Sequence, residues 1–386
     1  KTWDAPSYFQ NGSLQRIPLN YVSGDFDGDG LSDVIALEKD YIYANNQTKA
    51  HLIKLDRRIT YNFSFYLGDL TSQLQSTDKL LTMDVNGDGK TDILQFREGR
   101  VYIYTLDETN TSLQKIGETH NVNIKMANPI LPGDYNGDGK SDFMIPHDFR
   151  SNYFMTFLSR GNDFKIPPSA QATSFSYNVS GYDAQGTLHG YNLLPIDING
   201  DGKTDIIDYK TTTHSNTSDG EQIIKLYRNI RPDFHDVNFE YGGRITNTGN
   251  LKTLPIPVFI NSDKPNNNLE FASISDKWVT SFEFNEDHRK DVSLEKIVNN
   301  GITTEIKYDQ IKPYYQGPNA PSYSPSYGQI FPYVNVNVAP SFKVVKELTE
   351  TSDNSTRTKQ FLYKGAISHT SGLGFIGFEE LKRTNW

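Results

Sequence analysis

The chain has 386 residues, no cysteine and a formal net charge of −9. The acidity argues against a nucleic-acid partner, whose phosphates attract basic faces. The missing cysteines exclude a disulfide framework, a thiolate metal site and a thiol nucleophile. Hydrophobic residues make up 36%, there are 23 Tyr, 22 Phe and 29 Gly, and no apolar run reaches the length of a membrane helix. Such a composition predicts an all-β protein with a buried core and many turns.

The chain opens on "KTWDAPSYFQ", which has neither an initiating Met nor the pattern of a signal peptide, and reads as a piece of a longer protein. The first informative stretch is "DFDGDGLSDVIAL" at Asp25. Three more copies are "DVNGDGKTDILQF" at Asp84, "DYNGDGKSDFMIP" at Asp134 and "DINGDGKTDIIDY" at Asp197. The starts lie 59, 50 and 63 residues apart, a spacing that predicts a repeat architecture.

Counted from the first Asp, positions 1, 3, 5 and 9 carry Asp25, Asp27, Asp29 and Asp33 in the first copy. The second has Asp84, Asn86, Asp88 and Asp92; the third Asp134, Asn136, Asp138 and Asp142; the fourth Asp197, Asn199, Asp201 and Asp205. Position 6 is always glycine, which permits a backbone reversal that aims the carbonyl of position 7 inward. Position 7 is Leu31, Lys90, Lys140 and Lys203. Alternating carboxylates around a tight turn suit calcium, which takes six to eight oxygen ligands in flexible geometry. With no His or Cys in the set, zinc and copper are disfavoured, and magnesium rarely accepts a full protein cage. About four calcium ions are therefore expected. Four bound dications would bring the net charge from −9 to −1.

Two other readings of the loop fail. An EF-hand needs Glu at position 12, where the chain has Ala36, Gln95, Ile145 and Asp208. A phosphate loop needs glycine where Asp84, Asp134 and Asp197 stand, and a helix afterwards. A plain Asx-rich turn without metal is the bland alternative, and four matching copies weigh against it. A short apolar run comes directly after each loop, so a strand should begin as the position 9 Asp closes the site.

Short apolar stretches lead into the loops ("LNYV", "LLTM", "NPIL", "NLLPI"), and strand candidates such as "RVYIYTL", "NYFMTFL" and "IIKLYRN" come after them. A unit of this length with about four short strands has the size of a propeller blade. The repeated D-x-[DN]-G-D-G-x-[ST]-D and its apolar strand resemble the FG-GAP/VCBS blade of integrin-type propellers, over roughly residues 15 to 240. The resemblance implies a β-propeller with calcium-bearing blades over residues 1–285. Residues 251 to 284 read as a further blade without the metal loop, since Asn261, Asp263 and Asn266 do not keep the ligand spacing.

After about residue 285 the texture changes. "LEKIVNNGITTEIKYD" reads as a hairpin, "FKVVKELTE" and "TRTKQFLYKGAI" as paired strands. The stretch from Lys312 to Tyr333 is rich in Pro, Gly and Tyr and reads as a long surface loop, a candidate partner contact. "NNGITTEIKYD", "APSFKVVKELTE" and "FLYKGAISHTSGLGFIGFEEL", in that order, resemble the middle region of Tc toxin B components and related SpvB/RHS-type proteins. That resemblance implies, for residues 286–386, a β-rich region leading into a YD/RHS shell. It further implies a secreted, bacterial, toxin-related protein that docks to a translocation subunit and caps a shell holding a downstream effector. "GLGFIG" from Gly372 to Gly377 matches a dinucleotide fingerprint but has no room for a βαβ unit. Its glycines are read as letting Phe375 and Phe378 pack in a tight turn.

Eight histidines are scattered and neither H-E-x-x-H nor G-x-S-x-G occurs, so no catalytic residue is expected. "FNEDHRKD" from Phe284 to Asp291 reads as a solvated charged turn. The leading functional expectation is a non-catalytic, calcium-stabilised scaffold and interaction module. Its rivals are an adhesin or carbohydrate-binding propeller and a hydrolase seated in the propeller channel.

Overall fold

A computed structural model describes residues 7–10, 13–16, 19–28, 32–39, 48–53, 64–71, 73–122, 128–147, 152–185, 187–213, 220–230, 237–248, 256–258, 270–274, 279–283, 293–311, 321–330, 333–337, 339–353, 355–369 and 374–385. The described residues form strands and no helix, as the composition predicts.

After a small ladder of β1 (Ser7–Gln10) on β2 (Ser13–Arg16), the chain builds a succession of antiparallel sheets. The first is β3 (Leu19–Gly24), β4 (Asp33–Lys39), β5 (Thr48–Ile53) and β6 (Ser64–Leu70). The second is β7 (Lys79–Met83), β8 (Asp92–Arg97), β9 (Gly99–Leu106) and β10 (Leu113–Val122). In the third, β11 (Leu131–Gly133), β12 (Asp142–Pro146) and β13 (Tyr153–Ser159) are joined by β14 (Phe164–Lys165) and β15 (Gln171–Ala172), both on β13. The fourth runs β16 (Gly181–Tyr182), β17 (Leu188–Ile196), β18 (Asp205–Thr213), β19 (Gly220–Ile230) and β20 (Asn238–Thr248). The described strands do not trace a closed ring.

Each metal-type loop joins the first two long strands of its sheet, and the position 9 Asp is the first residue of the second strand. The register repeats. The residue before the loop pairs with position 9 as Gly24↔Asp33, Met83↔Asp92, Gly133↔Asp142 and Ile196↔Asp205.

The next two residues explain why these strands read as continuous apolar runs. Ile93 faces a core shared with the first sheet, among Ile35, Leu52 and Tyr104, while Leu94 faces the next core with Phe143 and Phe157. Met144 and Ile206 meet in the third core. Ile207 lies in the fourth, against Phe271. A strand covered on both faces has no polar side, so strict alternation is lost.

Phe271 belongs to a fifth sheet of β21 (Ile256–Val258), β22 (Glu270–Ile274) and β23 (Val279–Glu283). Here Val258 pairs with Glu270, and Glu270 is buried. A carboxylate thus occupies the closing register of the other four sheets, although the loop signature is missing from the sequence. Asn261, Asp263 and Asn266 lie outside the described residues, as does the charged stretch from Phe284 to Asp291.

The C-terminal region is a seven-stranded sheet: β24 (Lys296–Asn299), β25 (Ile302–Ile311), β26 (Tyr323–Ser324), β27 (Tyr333–Asn335), β28 (Ala339–Ser352), β29 (Ser355–His369) and β30 (Gly374–Arg383). The expected hairpin is β24–β25 and the expected pair is β28–β29. Of residues 312 to 333, read as a surface loop, 312–320 and 331–332 lie outside the described residues, and for the rest the reading needs correction. Tyr323 is fully buried with Ile311, Val344 and Ala366, and β26 pairs in parallel with β29. The Tyr323 hydroxyl donates to Val336 C=O at 2.8 Å and accepts from Ala366 N–H at 3.1 Å. One aromatic in a Pro/Gly-rich stretch carries no periodic signal, so this anchor was hidden in the sequence. Tyr327 and Ile330 do remain exposed. The segment around Phe375 and Phe378 is also a strand and not a turn. The two rings meet at 5.4 Å, and Phe378 packs on Tyr363 at 4.7 Å.

Candidate functional site: a column of acidic loops

Within a loop, the position 1 carboxylate is a capping acceptor. Asp84 receives Gly87 N–H at 2.7 Å and Gly89 N–H at 2.9 Å, one on each oxygen. Asp134 takes Gly137 and Gly139 in the same way, and Asp197 takes Gly200 and Gly202. In the first loop Asp25 receives Gly28 at 2.8 Å. These bonds require left-handed backbone at both glycines, with φ of +78° and +82° at Gly87 and Gly89. Position 4 is therefore as constrained as position 6. Asp88, Asp138 and Asp201 each accept the position 7 N–H, from Lys90, Lys140 and Lys203. Asn86 and Asn136 donate side-chain N–H to the position 5 carboxylate, and Asn199 accepts Asp201 N–H.

Position 9 behaves differently. Asp92, Asp142 and Asp205 have no exposed surface. Each accepts the position 2 N–H of its own loop, from Val85, Tyr135 and Ile198. Asp142 and Asp205 also accept N–H groups near the end of the strand that follows their own, Ser159 of β13 and Asn229 of β19, both at 2.7 Å. Burial, with the neighbouring loop carboxylates adding, pushes Asp92 up to about 6 and Asp142 and Asp205 up to about 7. Asp92 Oδ1 is buried without a hydrogen-bond partner. Asp33 is equally buried, while Asp27 remains on the loop; Asp29 and Leu31 lie outside the described residues.

The loops are also tied to one another. The position 8 N–H of each loop donates to the position 1 carbonyl of the loop before it: Thr91 to Asp25 at 2.7 Å, Ser141 to Asp84 at 2.7 Å, Thr204 to Asp134 at 2.6 Å. The position 7 Lys stem lies over the position 4 glycine of the preceding loop. A methyl group built on Gly28, Gly87 or Gly137 would meet Cγ of Lys90, Lys140 or Lys203 at 3.0–3.3 Å. The residue before the loop takes part as well. A methyl on Gly24 would lie 2.7 Å from Thr91 Cβ, and one on Gly133 equally close to Thr204 Cβ. At the equivalent positions of the second and third loops the sequence has the larger Met83 and the smaller Ser141. The Lys–Ser/Thr pair that resembled a phosphate loop is thus an inter-repeat splice. Asn229 Nδ2 adds a bond to Tyr135 C=O at 2.7 Å.

The residues fit a calcium ion by donor chemistry: they are hard oxygens, and a carboxylate oxygen holding one amide keeps a second lone pair. Asp92 Oδ1 is a buried acceptor with no close hydrogen bond, the Thr105 hydroxyl being its polar neighbour. They do not form a ready cage. Among the described residues no three His, Cys, Asp or Glu side chains are grouped for a metal. Lys140 and Lys203 reach the position 5 carboxylates at 3.5 and 3.4 Å, where a cation would compete with them.

Sequence reasoning missed one polar row outside the loops. His189 lies 3.0 Å from Asp183 and 3.4 Å from Thr212. A cavity between the third and fourth sheets, lined by Phe154, Thr156, Gln171 and Phe239, does not include this row.

Residues 84–145 match the model of the FG-GAP-like repeat, and this span holds the second loop, strands β8 to β10 and the third loop. No curated protein matches the sequence. Among solved structures, the chain is similar to a lectin of Agrocybe aegerita that recognises non-reducing terminal N-acetylglucosamine. The identity is 11% and the TM-score 0.32, over 63% of this chain and 88% of the lectin. It is also similar to the core factor of S. cerevisiae, at 10% identity and TM-score 0.31, over 70% of this chain and 49% of that one.

Proposed function

We infer that this protein is a non-catalytic scaffold of FG-GAP-like units, stiffened by calcium and used to hold a protein partner. The observation that carries the reading is the splice between loops. Each loop's N–H and Lys stem bind the loop before it, so ordering one loop orders the next. Calcium in such a column acts on stability: Asp, Asn and backbone oxygens of each loop would hold it, and the charge it supplies offsets the clustered carboxylates. The finer reading is a β-propeller that docks to the translocation subunit of a bacterial, secreted Tc/RHS-type toxin and caps its shell. It rests on the C-terminal resemblance alone. A second reading, a carbohydrate-binding propeller, draws on exposed tyrosines such as Tyr21, Tyr66, Tyr182 and Tyr241. The test is a melt with chelator and then add-back. Metal bound only to the native state stabilises by about 2.7 kcal/mol per site at a hundredfold excess over its dissociation constant. The melting temperature should fall with chelator and recover with calcium better than with magnesium. An unchanged melt would remove calcium from the reading.

A further inference from the structure

The chain contains five Asn-Gly pairs. In such a pair the glycine nitrogen can attack the asparagine Cγ, because no side chain shields it. Four of the pairs lie among the described residues, and the structure treats them in two ways. In the acidic loops both reacting groups are held. Asn86 accepts Asp88 N–H at 2.8 Å and donates Nδ2–H to the Asp88 carboxylate at 3.0 Å, while Gly87 donates its N–H to Asp84 at 2.7 Å. Asn136 and Gly137 repeat all three bonds with Asp138 and Asp134. Asn199 accepts Asp201 N–H, Gly200 donates to Asp197, and Asn199 is buried.

The fourth pair, Asn300-Gly301, is the whole connection between β24 and β25, since Asn299 pairs with Ile302. Both residues are left-handed, with φ of +48° and +76°. That is the conformation of a two-residue hairpin turn. Residues 294–302 are all exposed, and among the described residues β24 pairs with β25 alone. Among the described residues no hydrogen bond holds the Asn300 amide or the Gly301 N–H. A methyl built on Gly301 would meet nothing within 4 Å.

We propose that Asn300 is a self-modification site, where the folded protein loses ammonia to give aspartate or isoaspartate, while the hydrogen bonds of the acidic loops protect the other three pairs. The Gly301 nitrogen bonds to Asn300 Cγ, the Cγ–Nδ2 bond breaks, and the amide nitrogen leaves as ammonia, taking up the proton that Gly301 gives up. Water then opens the five-membered imide. Opening at one carbonyl leaves an ordinary aspartate. Opening at the other leaves isoaspartate, with the main chain running through Cβ. No oxidant, reductant or cofactor enters the balance. Ring closure requires the turn to open, so that Cγ reaches the nitrogen. At an exposed edge hairpin that opening disturbs only the end of one ladder, whereas in a loop the holding bonds must break first. Aspartate can keep the turn, because it tolerates left-handed backbone. Isoaspartate adds a carbon to a main-chain connection that has room for two residues, so β24 loses its register on β25.

The test incubates the native full chain in mildly alkaline buffer and follows each pair by peptide-mapping mass spectrometry, with isoaspartate detected by enzymatic methylation. Conversion at Asn300 should run about tenfold or more faster than at Asn86, Asn136 or Asn199, since each holding bond lowers the open fraction by a factor of about two to ten. In the chain unfolded by urea the four rates should converge to within about threefold, because only local sequence then distinguishes them. The isoaspartate form, separated by its added charge, should lose hydrogen-exchange protection at Ile306 N–H, which donates to Glu295 C=O at 2.9 Å in the native turn. The second sheet should keep its protection. An Asn300 that stays intact overturns the proposal. So do equal rates at the four sites of the folded chain, or a difference between them that persists in urea.

Discussion

Gly133 gives the sharpest test of the splice between repeats. Its backbone has no left-handed strain, so an alanine there is penalised only by what its methyl meets. That methyl would lie 2.7 Å from Thr204 Cβ, with the Thr204 hydroxyl and methyl as further clashes. Thr204 cannot withdraw freely, because its N–H holds Asp134 C=O at 2.6 Å. Overpacking of this kind costs about 1–3 kcal/mol. In a domain of this size, each kcal/mol lowers the melting temperature by about 2–4 °C. Gly181→Ala is the control, since its methyl meets nothing within 4 Å. It should fall within about 0.5 kcal/mol of the native chain. Thr204→Ser removes the branching methyl and copies the residue that stands at position 8 of the third loop, Ser141. The double variant Gly133→Ala/Thr204→Ser should therefore recover part of the loss, a coupling that a double-mutant cycle measures. Equal melts for Gly133→Ala and Gly181→Ala, or strict additivity in the cycle, would refute the reasoning.

Burial raises the Asp92, Asp142 and Asp205 carboxyls to about 6–7 from an ordinary 3.8. A raised folded pKa means that the native state holds protons the unfolded chain has released. The metal-free protein should thus lose stability as pH rises from about 4 through 7, and melts in chelator across that window would check it. Calcium should reverse the trend, because coordination requires the deprotonated carboxylate. Tyr323→Phe leaves Ala366 N–H buried without its acceptor. It should cost about 1–3 kcal/mol and speed proteolysis between residues 312 and 333. Glu270→Ala should raise hydrogen exchange in β21–β23 while sparing the second sheet, if Glu270 closes a fifth unit as its register indicates.

The four loops were legible because a carboxylate–glycine pattern leaves little conformational choice. Asp at positions 1 and 9 and glycine at 4 and 6 are the residues that make the turn, so sequence and geometry coincide. The start of each succeeding strand was legible for the same reason. The fifth sheet was only half visible. Its strands were readable, but Glu270 has no Gly-rich loop before it in the sequence, and only the pairing with Val258 aligns it with the aspartates. The role of position 8 was illegible, because Thr91, Ser141 and Thr204 act on a different repeat 57 to 70 residues away, a relation no local pattern records. Tyr323 was misjudged because composition described the segment around it and packing decided the residue.

Calcium stoichiometry tests the central claim most directly. The native chain, dialysed against calcium and measured by elemental analysis, should hold about one ion for each of its four loops. Asp138→Ala should lower that count by about one, because Asp138 belongs to the third loop alone. A native chain that retains no calcium, or an Asp138→Ala variant that releases all of it, would contradict a column of separate calcium-bearing loops.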